Sequence, residues 1–212
     1  MKIKWLGHSC FLLKSDEGTR VVTDPFNAMV GYRLPDVEAD VVTTSHDHGD
    51  HNNVKAVKGP YTHLSAPGHY SVGDIDIRGI PSYHDDSGGS KRGKNVIFCF
   101  EIDGISVCHL GDLGHPLTPQ QVAAIGPVDV LLVPVGGRFT IDGRGAAAVA
   151  GQLKPRISVP MHYRTRLLQF YLDGPEKFLE AVGGGRKAGR QEIEVRRGDI
   201  DKMAGAILLE FE

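Results

Sequence analysis

Residues 43 to 52, TTSHDHGDHN, place the strongest constraint on what this chain can fold into. The apolar run DVVTTS reads as a buried strand, and just past its end stand His46, His48, Asp50 and His51. Crowding imidazoles and carboxylates costs desolvation and repulsion unless a positive charge sits among them. Any fold must therefore bring the end of this strand to a cation, and a metal ion is the obvious one. In extended backbone, side chains two apart share a face, so His46 and His48 can reach one ion. Gly49 lets the chain turn, and a short helix starting there would present Asp50 and His51 from a second direction. Imidazole and carboxylate suit zinc, iron or manganese. A purification tag is also rich in histidine, but tags lie at termini and lack a preceding buried strand.

The remaining sequence supplies the scaffold. A chain of 212 residues fits one domain, 1–212, with a substantial core. Its first half is a series of short β runs: KIKWL, CFLLK, RVVTD, DVVTTS, YTHLS and DIDIRGI. VIFCFEI and ISVCHLG flank Asp103-Gly104 as a hairpin. Thr118, Pro119 and Gln121 form a capping box that opens a helix over QQVAAI, which Gly126 and Pro127 stop. A second helix is expected over Gly143 to Leu153 behind Asp142, and a third over PEKFLEAV, with the strands DVLLVPV and RISVP between helices. Hairpins followed by strands alternating with helices point to an α+β fold of two mixed sheets packed face to face, with helices outside.

Composition excludes several function classes. Lys plus Arg is 24 against 26 for Asp plus Glu, a formal charge of −2, which does not mark a dedicated polyanion binder. Cys10, Cys99 and Cys108 sit in apolar strands and read as reduced core residues of a cytoplasmic protein. The longest apolar run, VDVLLVPV, is too short to span a bilayer. Nucleic acid and membrane are thus not expected partners, and a homo-oligomer is left open.

Further donors stand at strand ends: His84 after DIDIRGIPSY, Asp112 after ISVCHLG and His162 after RISVPM. Each alone fits a loop residue as well as a ligand. Their common position raises them together, because strand ends are held rigidly at one edge of a sheet.

With these residues in place, the chain resembles the metallo-β-lactamase superfamily of metal-dependent hydrolases. The motif HxHxDH stands intact as His46, His48, Asp50 and His51, preceded by Asp24 after a strand and followed in order by His84, Asp112 and His162. WLGHSCF, TDPF, HLGDLGH and PMHY resemble the branch that includes L-ascorbate-6-phosphate lactonase. The resemblance implies a four-layer αββα sandwich and two divalent metal ions, zinc first, with manganese or iron suiting the same donors. It assigns His46, His48 and His84 to one ion, Asp50, His51 and His162 to the other, and Asp112 to both. Asp24 would accept a hydrogen bond from a ligand imidazole and fix its tautomer. His48, where the flavodiiron relatives carry glutamate, favours hydrolysis over redox chemistry. A water shared by the ions would ionise near neutrality and attack a lactone, ester or phosphoester, with Asp50 orienting that water or moving its proton. Phosphodiesterase or nuclease activity, and a metal-holding module without turnover, are the competing readings.

Substrate contacts are less constrained. His109 and His115 flank Asp112 by three residues, which places both where they can touch a substrate; His109 can equally be a hydrogen-bonded interior group of its strand, and His8 carries the same two readings. For His63 and His69 only a structural or solvent-exposed role suggests itself. The loop DDSGGSKRGKN, 85–95, either closes Lys91 and Arg92 over a small anionic substrate or is a solvated hairpin connection. Arg138 and Tyr163, with Arg164 and Arg166, are comparable candidates.

Overall fold

The computed structural model describes residues 1–211. In chain order the strands are β1 (Lys2–Gly7), β2 (Cys10–Lys14), β3 (Arg20–Thr23), β4 (Val41–Thr43), β5 (Thr62–Leu64), β6 (Gly68–Val72), β7 (Ile75–Tyr83), β8 (Lys94–Ile102), β9 (Ile105–His109), β10 (Val130–Pro134), β11 (Ile157–Met161), β12 (Arg186–Lys187), β13 (Glu192–Glu194) and β14 (Gly205–Leu208). The helices are α1 (Pro119–Ile125), α2 (Gly143–Leu153) and α3 (Glu176–Ala181). One sheet has six strands in the order β13-β1-β2-β3-β4-β5, and the other has eight in the order β12-β14-β11-β10-β9-β8-β7-β6. Both are mixed: β1-β2 and β2-β3 pair antiparallel while β3-β4 and β4-β5 pair parallel, and β6 to β9 run antiparallel before β9-β10-β11 turn parallel.

Strand periodicity explains why the sheets stack. In the smaller sheet, Ile3, Trp5, Phe11, Leu13, Val21 and Val41 point into the core shared with the larger sheet. Their neighbours Leu6, Cys10, Val22 and Val42 point the other way into a second apolar cluster with Phe26, Val30, Tyr32 and Val37. Residues two apart share a face, so this sheet is apolar on both sides and must be covered on both. The larger sheet covers one side; the segment after β3, with 3-10 turns at Ala28–Val30 and Val54–Ala56, covers the other. The helical layer expected there is thus reduced to single turns. On the outer face of the larger sheet, α1 lies against β7 and α2 against β10, with α3 packed on α2.

Local signals act as written in the chain. Asp103 and Gly104 both have positive φ, 52° and 70°, as a two-residue turn between β8 and β9 requires. Thr118 and Gln121 close a reciprocal capping box at α1, and Asp142 accepts from the Gly145 amide at the start of α2. No helix among the described residues is long and apolar enough to cross a membrane.

The short helix expected from Gly49 does not form. The amide of His51 donates to the carbonyl of His48 at 2.9 Å, closing a single turn, and the next helical residues are Val54–Ala56. The reason lies at Asp24, which draws the His51 side chain inward and ends the turn there.

Candidate metal centre

The C-terminal ends of β3, β4, β7, β9 and β11, together with the β1-β2 turn, meet at one edge of the sandwich. Asp24 follows β3, His46 to His51 follow β4, His84 follows β7, Asp112 lies beyond β9 and His162 follows β11. Among the described residues, three groups of side chains bring ligand atoms within 4.8 Å of one another: His46, His48 and His84; His46, His51 and Asp112; and His8, Asp50, His51 and His162. All donors expected from the sequence are therefore brought together, and His8 joins them.

Asp112 occupies the middle. Its Oδ2 lies 3.3 Å from His84 Nε2, 3.2 Å from His162 Nε2 and 3.9 Å from His46 Nε2, while Oδ1 lies 3.3 Å from His51 Nε2. The approach that places it there is tight. Gly114 leaves no room for a Cβ against the backbone of His84 and Asp85, and its amide donates to the Tyr83 carbonyl at 3.0 Å. The Asp112 amide donates to Asn95 Oδ1 at 3.0 Å, and Asn95 itself donates to Ser82 Oγ and to the Leu110 carbonyl. Asn95 thus braces the turn that carries the central carboxylate.

Behind the ligand set stands Asp24, 1% exposed. Its Oδ1 accepts from the Ser45 amide at 2.7 Å, and its Oδ2 accepts from Ser45 Oγ at 2.6 Å and from His51 Nδ1 at 2.8 Å. Ser45 Oγ in turn lies 2.9 Å from His46 Nδ1. With the carboxylate ionised, both imidazoles carry a proton on Nδ1, which leaves Nε2, the nitrogen turned toward Asp112, as the one to bind a cation. These Nε2 atoms of His46 and His51, that of His162 and Oδ1 of Asp112 are buried and have no hydrogen-bond partner among the described residues. Buried polar atoms in native proteins are nearly always satisfied. Three orphaned nitrogens converging on a carboxylate that itself has an unpartnered oxygen, all of them able to donate lone pairs, fit a bound cation.

Backbone strain concentrates here. His8, Asp24 and His162 have φ of 51°, 41° and 51°, a region unfavourable for residues with a Cβ that is occupied where surrounding structure enforces it.

Charge states follow from these contacts. Burial opposes ionisation of Asp112, but His162 and His51 outweigh it and hold the carboxyl below its usual range. His51 behaves in reverse: burial opposes its charge, yet Asp112 and Asp24 hold its pKa well above the ordinary value. Burial and then His162 press His8 down to about 4, and burial and then His51 press His46 down to about 3. The unfolded chain, with histidine near 6.5, therefore takes up more protons than the folded one between pH 6.5 and 4, so stability falls as pH falls through that window. His51 does not oppose this, since its raised pKa matters only above 6.5. Chelator-treated protein is expected to melt at a lower temperature at about pH 5 than at about pH 6.5. A melting temperature that rises on acidification would contradict this ordering of charges.

The substrate-side candidates separate. A cleft of about 420 Å³ opens over the centre, walled by His48, Asp50, His84, Lys91, Arg92, Phe139 and Phe170. Lys91 and Arg92 reach it; neither phenylalanine was marked by any pattern in the sequence. Arg138 is exposed and stacks its guanidinium on Phe139 at 5.4 Å, at the rim. His109 does not face the cleft: its Nε2 donates to the Ser9 carbonyl at 2.8 Å and its Nδ1 accepts from the Gly111 amide at 3.1 Å, so both ring nitrogens are used inside the protein. His115 likewise braces the end of β7, accepting from the Tyr83 amide and contacting the Pro116 carbonyl. Tyr163 is corrected outright. It is buried and stacks on Trp5 at 5.5 Å, because adjacent residues point to opposite sides: with His162 turned to the centre, Tyr163 falls with Met161 into the core. His63 pairs with Thr44 Oγ1, and His69 lies on β6 away from the centre.

With the geometry established, comparison with known proteins decides the family. Residues 2–162 match the beta-lactamase superfamily domain. This chain belongs to the metallo-β-lactamase superfamily and is a metal-dependent hydrolase of it. It is 32% identical over 194 residues to a UPF0173 metal-dependent hydrolase of Carboxydothermus hydrogenoformans, covering 78% of this chain and 85% of that one. A UPF0173 metal-dependent hydrolase of Archaeoglobus fulgidus is 30% identical over 227 residues, covering 92% and 94%. Among solved structures, a protein of Thermotoga maritima described as a Zn-dependent hydrolase of this superfamily superposes with a TM-score of 0.83 at 41% identity, covering 98% of this chain and 97% of that one. Metallo-β-lactamase fold and hydrolase class thus agree with the architecture and the donor set.

Proposed function

We propose that the chain hydrolyses a small lactone, ester or phosphoester bearing an anionic group, using two divalent ions held at the strand-end centre. The observation that carries this reading is Asp112, whose carboxylate lies within 3.3 Å of Nε2 on His84, from one donor set, and on His51 and His162, from the other. His46, His48 and His84 form one donor set, Asp50, His51 and His162 the other, and His8 extends the second. Ions in these sets supply Lewis acidity and a water acidified to near neutrality. Zinc is the first candidate, since the donors suit it and the Thermotoga maritima relative is described as Zn-dependent.

The protein's own groups supply orientation and proton handling. Asp50 lines the cleft, and although burial opposes its charge, the contact with His8 Nε2 at 3.3 Å keeps it ionised. Its free oxygen is placed to orient a nucleophilic water or take its proton. Lys91 and Arg92 meet the anionic end of the substrate, and Phe139 and Phe170 exclude solvent from the walls. The opening WLGHSCF with TDPF, HLGDLGH and PMHY keeps a phosphorylated lactone in the substrate range.

Elemental analysis of untagged protein, coupled to assays with lactones, p-nitrophenyl esters and bis-p-nitrophenyl phosphate, tests the reading. Close to two equivalents of metal per chain, with activity lost on chelation and restored by metal, is expected. Tightly bound metal with no turnover on any of these classes would favour a metal-holding module instead.

A further inference from the structure

Asp85, the residue after His84, is buried, yet it touches neither the substrate cleft nor the donor sets. Its carboxylate is instead spent on backbone. Oδ1 accepts from the amides of Ser87 and Gly89 at 2.8 and 2.9 Å, and Oδ2 accepts from those of Lys91 and Arg92 at 2.9 and 2.7 Å. The loop is wound around this one side chain, with Gly88, Gly89 and Gly93 at φ of 67°, 83° and 93° permitting the winding. The Gly93 carbonyl then returns to accept from the His84 amide at 3.1 Å, which closes the loop onto the end of β7.

The two residues whose amides share Oδ2 are the two cations of the cleft wall. Arg92 is further held by donating Nη2 to the Arg138 carbonyl at 3.2 Å and by lying 5.6 Å over Phe139. Among the described residues the Lys91 ammonium pairs only with exposed Asp86, at 3.0 Å, a contact that solvent makes weak and a substrate anion can replace.

We propose that Asp85 is a positioning residue for anionic substrates: by anchoring the backbone of Lys91 and Arg92 it holds a preformed subsite for a carboxylate or phosphate beside the metal centre. This rests on the hydrolase reading, and it makes the enzyme's preference for charged over neutral substrates a property of a residue that never touches them. Preordering the two cations removes the loss of backbone freedom that a mobile loop would suffer on binding.

The test compares mono-p-nitrophenyl succinate with p-nitrophenyl butyrate, which share a leaving group and differ in a terminal carboxylate against a methyl. In Asp85→Asn the amide can offer its oxygen to only one pair of backbone donors and turns an NH2 against the other. The ratio of the succinate-ester KM to the butyrate-ester KM is expected to rise about tenfold in D85N and in the K91A/R92A double variant. In the K91A/R92A background, D85N should add less than about twofold. Metal content should be unchanged in each. Equal rises for both esters, or the full D85N effect persisting in that background, would overturn the positioning role. Should D85N fail to fold, an unchanged succinate-ester KM in K91A/R92A overturns the subsite by itself. Calorimetric titration of the metal-loaded protein with succinate gives a reading without turnover, with weaker binding expected in the same variants. Selective weakening there, with neither ester hydrolysed, would remove esters from the proposed substrates and leave the subsite standing; undiminished binding would overturn the subsite and leave the proposed substrates untouched.

Discussion

Replacing Asp112 with alanine is expected to abolish turnover and strip most of the metal while leaving the fold in place. The carboxylate stands at the centre of the cluster, within 3.9 Å of Nε2 on His46, His51, His84 and His162. Without it those imidazoles face one another with no shared counter-charge, and neither donor set has a bridge to the other. Lewis-acid stabilisation of a developing oxyanion is worth several kcal/mol, so kcat/KM should fall by at least about 10³-fold. Asn is the sharper probe, because Asp112→Asn keeps the shape and the backbone bond from residue 112 to Asn95 Oδ1 and removes only the charge. Metal retention measured by elemental analysis, together with circular dichroism to confirm the sheets, checks the result. Near-normal metal content and rate in either variant would remove Asp112 from the centre of the mechanism.

That Asp112 was legible at all shows which kinds of information a linear sequence carries. HxHxDH is compact, and Asp112 and His162 each stand a step beyond an apolar strand, so local spacing located them. Strand alternation, the Asp103-Gly104 turn and the capping box at Thr118 were equally readable, because each depends on residues within a few positions. What escaped depends on distant approach. His8, read from the sequence as a contact at the site or an interior group but not as a donor, enters the cluster because its ring lies 4.2 Å from that of His162, a contact between residues 154 positions apart. Phe139 and Phe170 wall the cleft from loops whose paths are set by packing. The edge strand β6 is half-exposed and carries no strong apolar pattern, and β12, β13 and β14 are short pieces whose identity comes from their partners. Tyr163 illustrates the opposite error: proximity in sequence to a ligand suggested contact with substrate, while its ring packs into the interior; His109 takes the hydrogen-bonded interior place that was one of its two readings.

Asp24→Asn should produce the second large effect, through a proton and not through a lost ligand. The substituted side chain is isosteric, so the Ser45 amide can still donate to an oxygen at the Oδ1 position. An NH2 then stands where Oδ2 accepted from Ser45 Oγ and His51 Nδ1. To avoid opposing donors, His51 must shift its proton to Nε2, which points that proton at Asp112 and removes the lone pair the cluster needs. Ser45 must likewise reorient, which releases the tautomer of His46. Loss of such an outer partner typically weakens metal binding by about 10 to 100-fold, and the frustrated buried donors should cost metal-free protein about 1–3 kcal/mol. Competition against a chelator of known affinity measures the first and denaturant titration of metal-free protein the second, while nitrogen-15 shifts of the His51 ring report the tautomer directly. Wild-type metal affinity with Nδ1 of His51 still protonated would show that Asp24 does not set that proton; a weakened site with the proton on Nε2 would tie the strained backbone at φ 41° to the chemistry it serves.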